Sequence, residues 1–304
     1  MTRTLLVTGA GGVGKTTIAA AVGVKAARAG MRALVVTVDP ARRLADNEFF
    51  KAASEHFPAS QSYAAADQAA TFAQARAWDL VVVDTPPSGG GIDFFEAPSQ
   101  MADLVGGRLL RWITGGPLPG RRFFYDRAAR PMLRAADSIL GSDLLERIAE
   151  FLVDLRTTYD GVARRGREIE AIMGGASILV VTTSDPAPVR EAVRFFRELP
   201  RLAAAPEAVI FNRALPRSWL EPIPPGDASA ELRRIAESWG AETLRQRDMR
   251  EGFSARHGAT VATVPWSSTP PTDLDGLARL VDAAEGIPWR RLGVGNDGII
   301  SDHA

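Results

Sequence analysis

Between Gly9 and Thr17 the sequence reads GAGGVGKTT. The spacing is that of a phosphate-cradling loop, G-x-x-x-x-G-K-[ST], entered from an apolar run and left through an alanine-rich helical pattern. Glycines let successive backbone N–H groups turn inward around phosphate oxygens, and the helix that follows adds its positive N-terminal end. In such a loop Lys15 reaches the β- and γ-phosphates of a nucleoside triphosphate, and the Thr16 hydroxyl ligates Mg²⁺. Gly9, Gly11, Gly12, Val13, Gly14, Lys15, Thr16 and Thr17 are therefore candidate nucleotide-binding residues.

Two aspartates extend that chemistry. WDLVVVDTPP places Asp84 at the end of an apolar run, where a second acid holds Mg²⁺ through a water. VVTVDPARRLAD places Asp39 at the end of another, where a carboxylate can order the attacking water and face the metal. In a parallel sheet the carboxyl ends of the strands open on one crevice, so both acids face the loop. Asn212, in VIFNR, also ends an apolar run; on pattern alone it reads as a site residue or as an ordinary turn asparagine. The pairs Arg42–Arg43 and Arg121–Arg122 read either as arginine fingers or, more simply, as solvated or salt-bridged positions.

These residues need a scaffold. Short β-branched runs recur at Thr4–Thr8, Ala33–Val38, Leu80–Val83, Ile178–Thr182, Ala208–Phe211 and Val261–Val264. They are almost wholly apolar, as strands buried on both faces must be, and helical patterns separate them. The expectation is an α/β fold, a doubly wound and mostly parallel sheet. From Pro98 to Met173 no strand is evident, and apolar residues at helical spacing predict a helical insert over 98–173. The sheet domain is then 1–97 with 174–290, and 291–304 is a flexible tail. Pro216–Ser229 reads as a connection.

Composition removes several classes of function. The 304 residues carry a formal net charge of zero, so no global basic field draws the chain to nucleic acid. With no cysteine, disulfides, thiolate metal sites and thiol catalysis are out. No apolar run approaches bilayer length, and a strand begins within a few residues of the N-terminus, which leaves no room for a secretory signal. The expected location is the cytoplasm, without a stable membrane anchor.

GAGGVGKTT, VDPARRLAD, VVVDTPPSGG and VIFNRALP together resemble the arsenite-pump and tail-anchored-protein-targeting ATPase family, in its bacterial branch. The resemblance implies a P-loop fold, with ATP and Mg²⁺ as cofactors and hydrolysis to ADP and phosphate. It implies that Lys15 and Asp39 act in catalysis, that Thr16, Asp39 and Asp84 surround the metal, and that Asn212 recognises adenine. It also implies switch loops coupled to a protein client at the helical insert, and at least transient pairing as a homodimer or with a paralogue. Three departures stand out: Ala10 replaces a lysine, Gly90 replaces a histidine, and the cysteine pair that holds zinc in some members is missing. They leave open an alternative, a low-turnover nucleotide-binding regulatory subunit that pairs with an active paralogue.

Overall fold

The computed structural model describes residues 2–37, 59–85, 92–106, 161, 164–202, 205–221 and 229–294. Six strands form one sheet: β1 (Arg3–Gly9), β2 (Ala33–Thr37), β3 (Leu80–Asp84), β4 (Ser177–Thr182), β5 (Pro206–Ala214) and β6 (Val261–Pro265). Their order is β2-β3-β1-β4-β5-β6, and every neighbouring pair is parallel. The expected doubly wound α/β sheet is the observed one.

Alternation along each strand divides the core between two faces. Leu5, Val7, Leu80, Val82, Leu179, Val181, Ile210 and Val264 share one cluster with Ile18, Ala19, Val22 and Ala26 of helix α1 (Lys15–Arg28). Leu6, Val81, Val83, Val180, Val209 and Phe211 point the other way and are just as inaccessible. On that second face Phe211 meets Phe253 edge-on at 5.7 Å between ring centres, and Phe253 meets Phe196 at 5.4 Å. Burial on both faces of the four inner strands is why their sequences carry no polar alternation.

Helix α2 (Ala59–Gln74) precedes β3, and α3 (Ile92–Gly106) follows it. Helix α4 (Pro186–Glu198) starts with Asp185 at its N-cap and a proline in its first turn, as the sequence signals. The longest described helix is α5 (Ala230–His257), for which the sequence reading offered nothing. Its caps were there to be read: the Ser229 hydroxyl accepts from the Leu232 N–H at 3.2 Å, and Gly258 closes it with φ 58°. The interior gave no periodic stripe, because only Thr243 and Phe253 of its residues are buried. Helix α6 (Leu274–Asp282) and the short α7 (Trp289–Leu292) follow β6.

The chain divides into two compact units, Met1–Ala97 with Ala171–Ala304, and Pro98–Glu170. Of the expected insert over 98–173, residues 98–106, 161 and 164–173 are described, and all are helical. The remainder of that segment and the expected tail beyond residue 294 lie outside the described residues. Within Pro216–Ser229, read as a plain connection, Arg217–Leu220 forms one 3-10 turn.

Candidate nucleotide-binding site

The phosphate loop begins at the centre of the sheet. Strand β1 lies between β3 and β4, so its last residue, Gly9, sits opposite Val181, and Val7 sits opposite Asp84. A side chain at Gly9 would overlap the Val181 carbonyl, which explains a glycine there. Ala10 and Val13 are buried in the core cluster and pin the loop from below, while Gly11 and Gly12 are exposed. Gly14 caps α1 with φ 94°, a backbone state that side chains disfavour, and its carbonyl receives the Ile18 N–H at 3.0 Å. The loop thus faces outward between a buried base and the first turn of a helix.

Lys15 is only 6 % exposed, and its Nζ donates to the Ala10 carbonyl at 2.8 Å. Burial pushes its pKa down, against the opposing pull of Asp84 and then Glu191. Asp84 is 3 % exposed. Burial pushes its carboxyl pKa up, against the Thr16 hydrogen bond and the Lys15 charge. Thr16 Oγ1 donates to Asp84 Oδ2 at 2.6 Å, and Asp84 Oδ1 is buried with no hydrogen-bond partner. That orphaned oxygen and the threonine hydroxyl are hard donors of the kind Mg²⁺ takes, so the residues fit the ion. Among the described residues no group of three or more His, Cys, Asp or Glu could hold a metal.

Asn212, at 7 % exposure near the end of β5, is tied to the loop: its Nδ2 donates to the Val13 carbonyl at 2.8 Å, and its Oδ1 accepts from the Arg213 N–H at 2.9 Å. A Cβ on Gly14 would overlap the same amide nitrogen. Arg213, which the sequence reading passed over, has φ 59° and donates from Nη2 to the Gly12 carbonyl at 3.2 Å. Successive residues of β5 therefore hold successive carbonyls of the loop. An arginine directly after the candidate asparagine was the only sequence signal for this contact.

The structure brings together Gly9, Gly11, Gly12, Val13, Gly14, Lys15, Thr16, Asp84 and Asn212; Thr17, half-buried, continues α1. Asp39, Arg42, Arg43, Gly90, Arg121 and Arg122 lie outside the described residues.

The sequence profile of the family described as anion-transporting ATPase matches residues 2–49 and 47–265. The chain belongs to that family. Anion-transporting ATPase relatives give shorter matches. A protein of Halobacterium salinarum named "Putative arsenical pump-driving ATPase" is 50 % identical over 68 residues, 22 % of this chain and 10 % of its own length. A numbered namesake from Aquifex aeolicus is 53 % identical over 45 residues, 15 % of this chain and 11 % of its own. The matched segments thus span about a tenth of those relatives. Among the described residues no helix is long and apolar enough to cross a membrane.

Proposed function

We propose that the protein is a Mg²⁺-dependent ATPase that hydrolyses ATP to ADP and phosphate, and that this cycle drives a protein partner through the helical segment 98–173. The observation that supports it most is the Thr16–Asp84 contact beside a buried lysine in the glycine loop. In this reading Lys15 leaves the Ala10 carbonyl and donates to the β- and γ-phosphates. The loop N–H groups and the N-terminus of α1 receive the remaining phosphate charge. Thr16 and Asp84 would hold Mg²⁺, which when bound neutralises charge on the phosphates. Asp39 orients the attacking water and accepts its proton. Asn212 presents its remaining amide hydrogen to the base. The partner is a protein, and pairing with a second copy or a paralogue accompanies ATP binding. The cell compartment is the cytoplasm.

One observation favours the slower alternative. Ala10 is 8 % exposed and belongs to the core cluster, so the loop offers Lys15 as its only lysine. A loop with one lysine can hold a nucleotide and turn it over slowly until another chain supplies charge. Phosphate release by the purified protein, together with titration of a fluorescent ATP analogue, tests both readings. Binding with Mg²⁺-dependent release supports the ATPase, and binding without release supports the regulatory subunit. No nucleotide binding at all would remove both.

A further inference from the structure

A second cationic site lies away from the phosphate loop. Val261 and Thr263 of β6 point away from the core cluster shared with α1, and with α5 they bound a cavity of about 430 Å³. No residue from Gly9 to Thr17 lines it. Three arginines do: Arg217 of the 3-10 turn, and Arg247 and Arg250 of α5. Two carboxylates, Glu251 and Glu285, share the wall.

These groups are not all paired. Glu285 Oε2 lies 3.8 Å from Arg217 Nη2, and Glu251 Oε1 lies 3.6 Å from Arg247 Nε. Each carboxylate is thereby committed to a rim arginine. Arg250 forms no ion pair among the described residues, and its Nη1 is buried with no acceptor. Arg247 also meets Asp248 Oδ1 at 3.3 Å, so both rim arginines are paired, and Arg250, the most enclosed of the three, is the one left with a buried donor and no partner. Burial, followed by the like charge of Arg217, pulls the Arg250 pKa down, against the opposing charges of Glu251 and Glu285. Removing a charge from water without pairing it is costly, and a guanidinium cannot escape by losing its proton.

We infer that this cavity binds a small anionic ligand, one bearing a phosphate or carboxylate group, with Arg250 as its principal counter-charge and Arg217 and Arg247 at the rim. The volume is that of a small-molecule site, and the arginine fork matches either oxyanion with two parallel hydrogen bonds. The inference goes beyond the ATPase reading and does not need it. Its position gives it a route to the loop all the same: Ala214, which lines the cavity, directly follows the Asn212–Arg213 pair that holds the Gly12 and Val13 carbonyls.

Calorimetric titration of the full chain carrying Lys15→Ala, which silences the phosphate loop, tests the site with two probes, inorganic phosphate and succinate. Saturable binding of at least one probe is expected, and the preferred one identifies the oxyanion. Arg250→Gln in the same background should weaken that binding by about tenfold, and Arg250→Lys by less. Saturating ADP on the wild-type chain should leave the binding in place. Absence of binding by either probe, or binding that Arg250→Gln does not change, overturns the proposal. Loss of binding in the presence of ADP overturns it too, since the cavity would then be part of the nucleotide site. If Arg250→Gln no longer melts cooperatively, Arg217→Gln and Arg247→Gln replace it. Their side chains are 83 % and 45 % exposed, so the fold tolerates the change, and a double variant with undiminished binding is the overturning result.

Discussion

The carboxyl ends of β1 and β3 and the far edge at β5 and β6 each enclose a cation, and they differ in how its charge is met. Lys15 shares its surroundings with Asp84, whose carboxylate opposes the effect of burial on the ammonium. It also has a carbonyl partner at 2.8 Å, so its donor is satisfied while no phosphate is present. Arg250 has neither an ion pair nor an acceptor for Nη1 among the described residues. The lysine site is balanced and releases its cation to a ligand by exchanging one acceptor for another. The arginine site leaves its most enclosed donor without an acceptor, and a ligand there supplies one. A buried charge is tolerated only when something compensates it.

Lys15→Ala should break the first half of that comparison and produce the largest effect. Phosphate release is expected to fall by at least about 100-fold, the scale on which loss of a charge-stabilising donor acts in a closed site. Wild-type turnover by this variant would remove the loop from the chemistry.

Asp39→Asn sharpens the same half by separating binding from reaction. The amide should bind Mg·ATP with nearly unchanged affinity and hydrolyse it about 10²-fold more slowly, because a water-positioning acid contributes to rate rather than to binding. Single-turnover kinetics against equilibrium titration distinguishes the two, and equal losses in both would assign Asp39 to binding alone.

Asn212→Ala tests the bridge between the two regions. It leaves the buried Val13 carbonyl without its side-chain donor and frees the Arg213 N–H from its acceptor. An unsatisfied buried group costs about 1–3 kcal/mol, so denaturant midpoint and nucleotide affinity should fall together. A loss of affinity with an unchanged midpoint would mean that the asparagine serves the ligand and not the loop.

The smallest effect belongs to the opposite, amino ends of the strands. Arg32 Nη2 donates to Asp79 Oδ1 at 2.8 Å, and the Arg32 N–H to Asp79 Oδ2 at 2.8 Å. Those hydrogen bonds lower the Asp79 pKa from 3.8 to about 2. An acid with a depressed folded-state value adds stability above its unfolded value of 3.8, and loses that contribution as pH falls toward 2. Asp79→Asn should therefore lower Tm by about 1–2 °C at pH 7, with the gap closing as the pH is lowered through that window. A gap that widens in acid would reverse the assignment.

Much of the first site was legible in the chain itself. The loop needs consecutive residues only, and its glycines, lysine and threonine stand in one short segment. Asp84 was legible because an apolar run ending in an acid, in a sheet read as parallel, can face only one crevice. Asn212 was legible as a position but not as a contact: its bond to Val13 crosses 199 residues. The long α5 escaped because a mostly exposed helix carries no apolar stripe, and its caps at Ser229 and Gly258 were the remaining signal. Arg247, Arg250 and Glu251 stand at helical spacing on one face, yet nothing local marks them as different from any solvated charge run.

The sequence by itself determined the strands, their parallel pairing and the chemistry of the phosphate loop, because backbone freedom, apolar periodicity and side-chain type are properties of neighbouring residues. Tertiary structure alone decided which charges are paired. Asp84 reaches Thr16 and Lys15 because β3 lies beside β1, and Glu285 reaches Arg217 of a distant 3-10 turn, whereas Glu251 meets Arg247 one turn away on the same helix. Whether a charged side chain is balanced depends on burial and on partners distant in the chain, and electrostatic energy grows as water is excluded from between them.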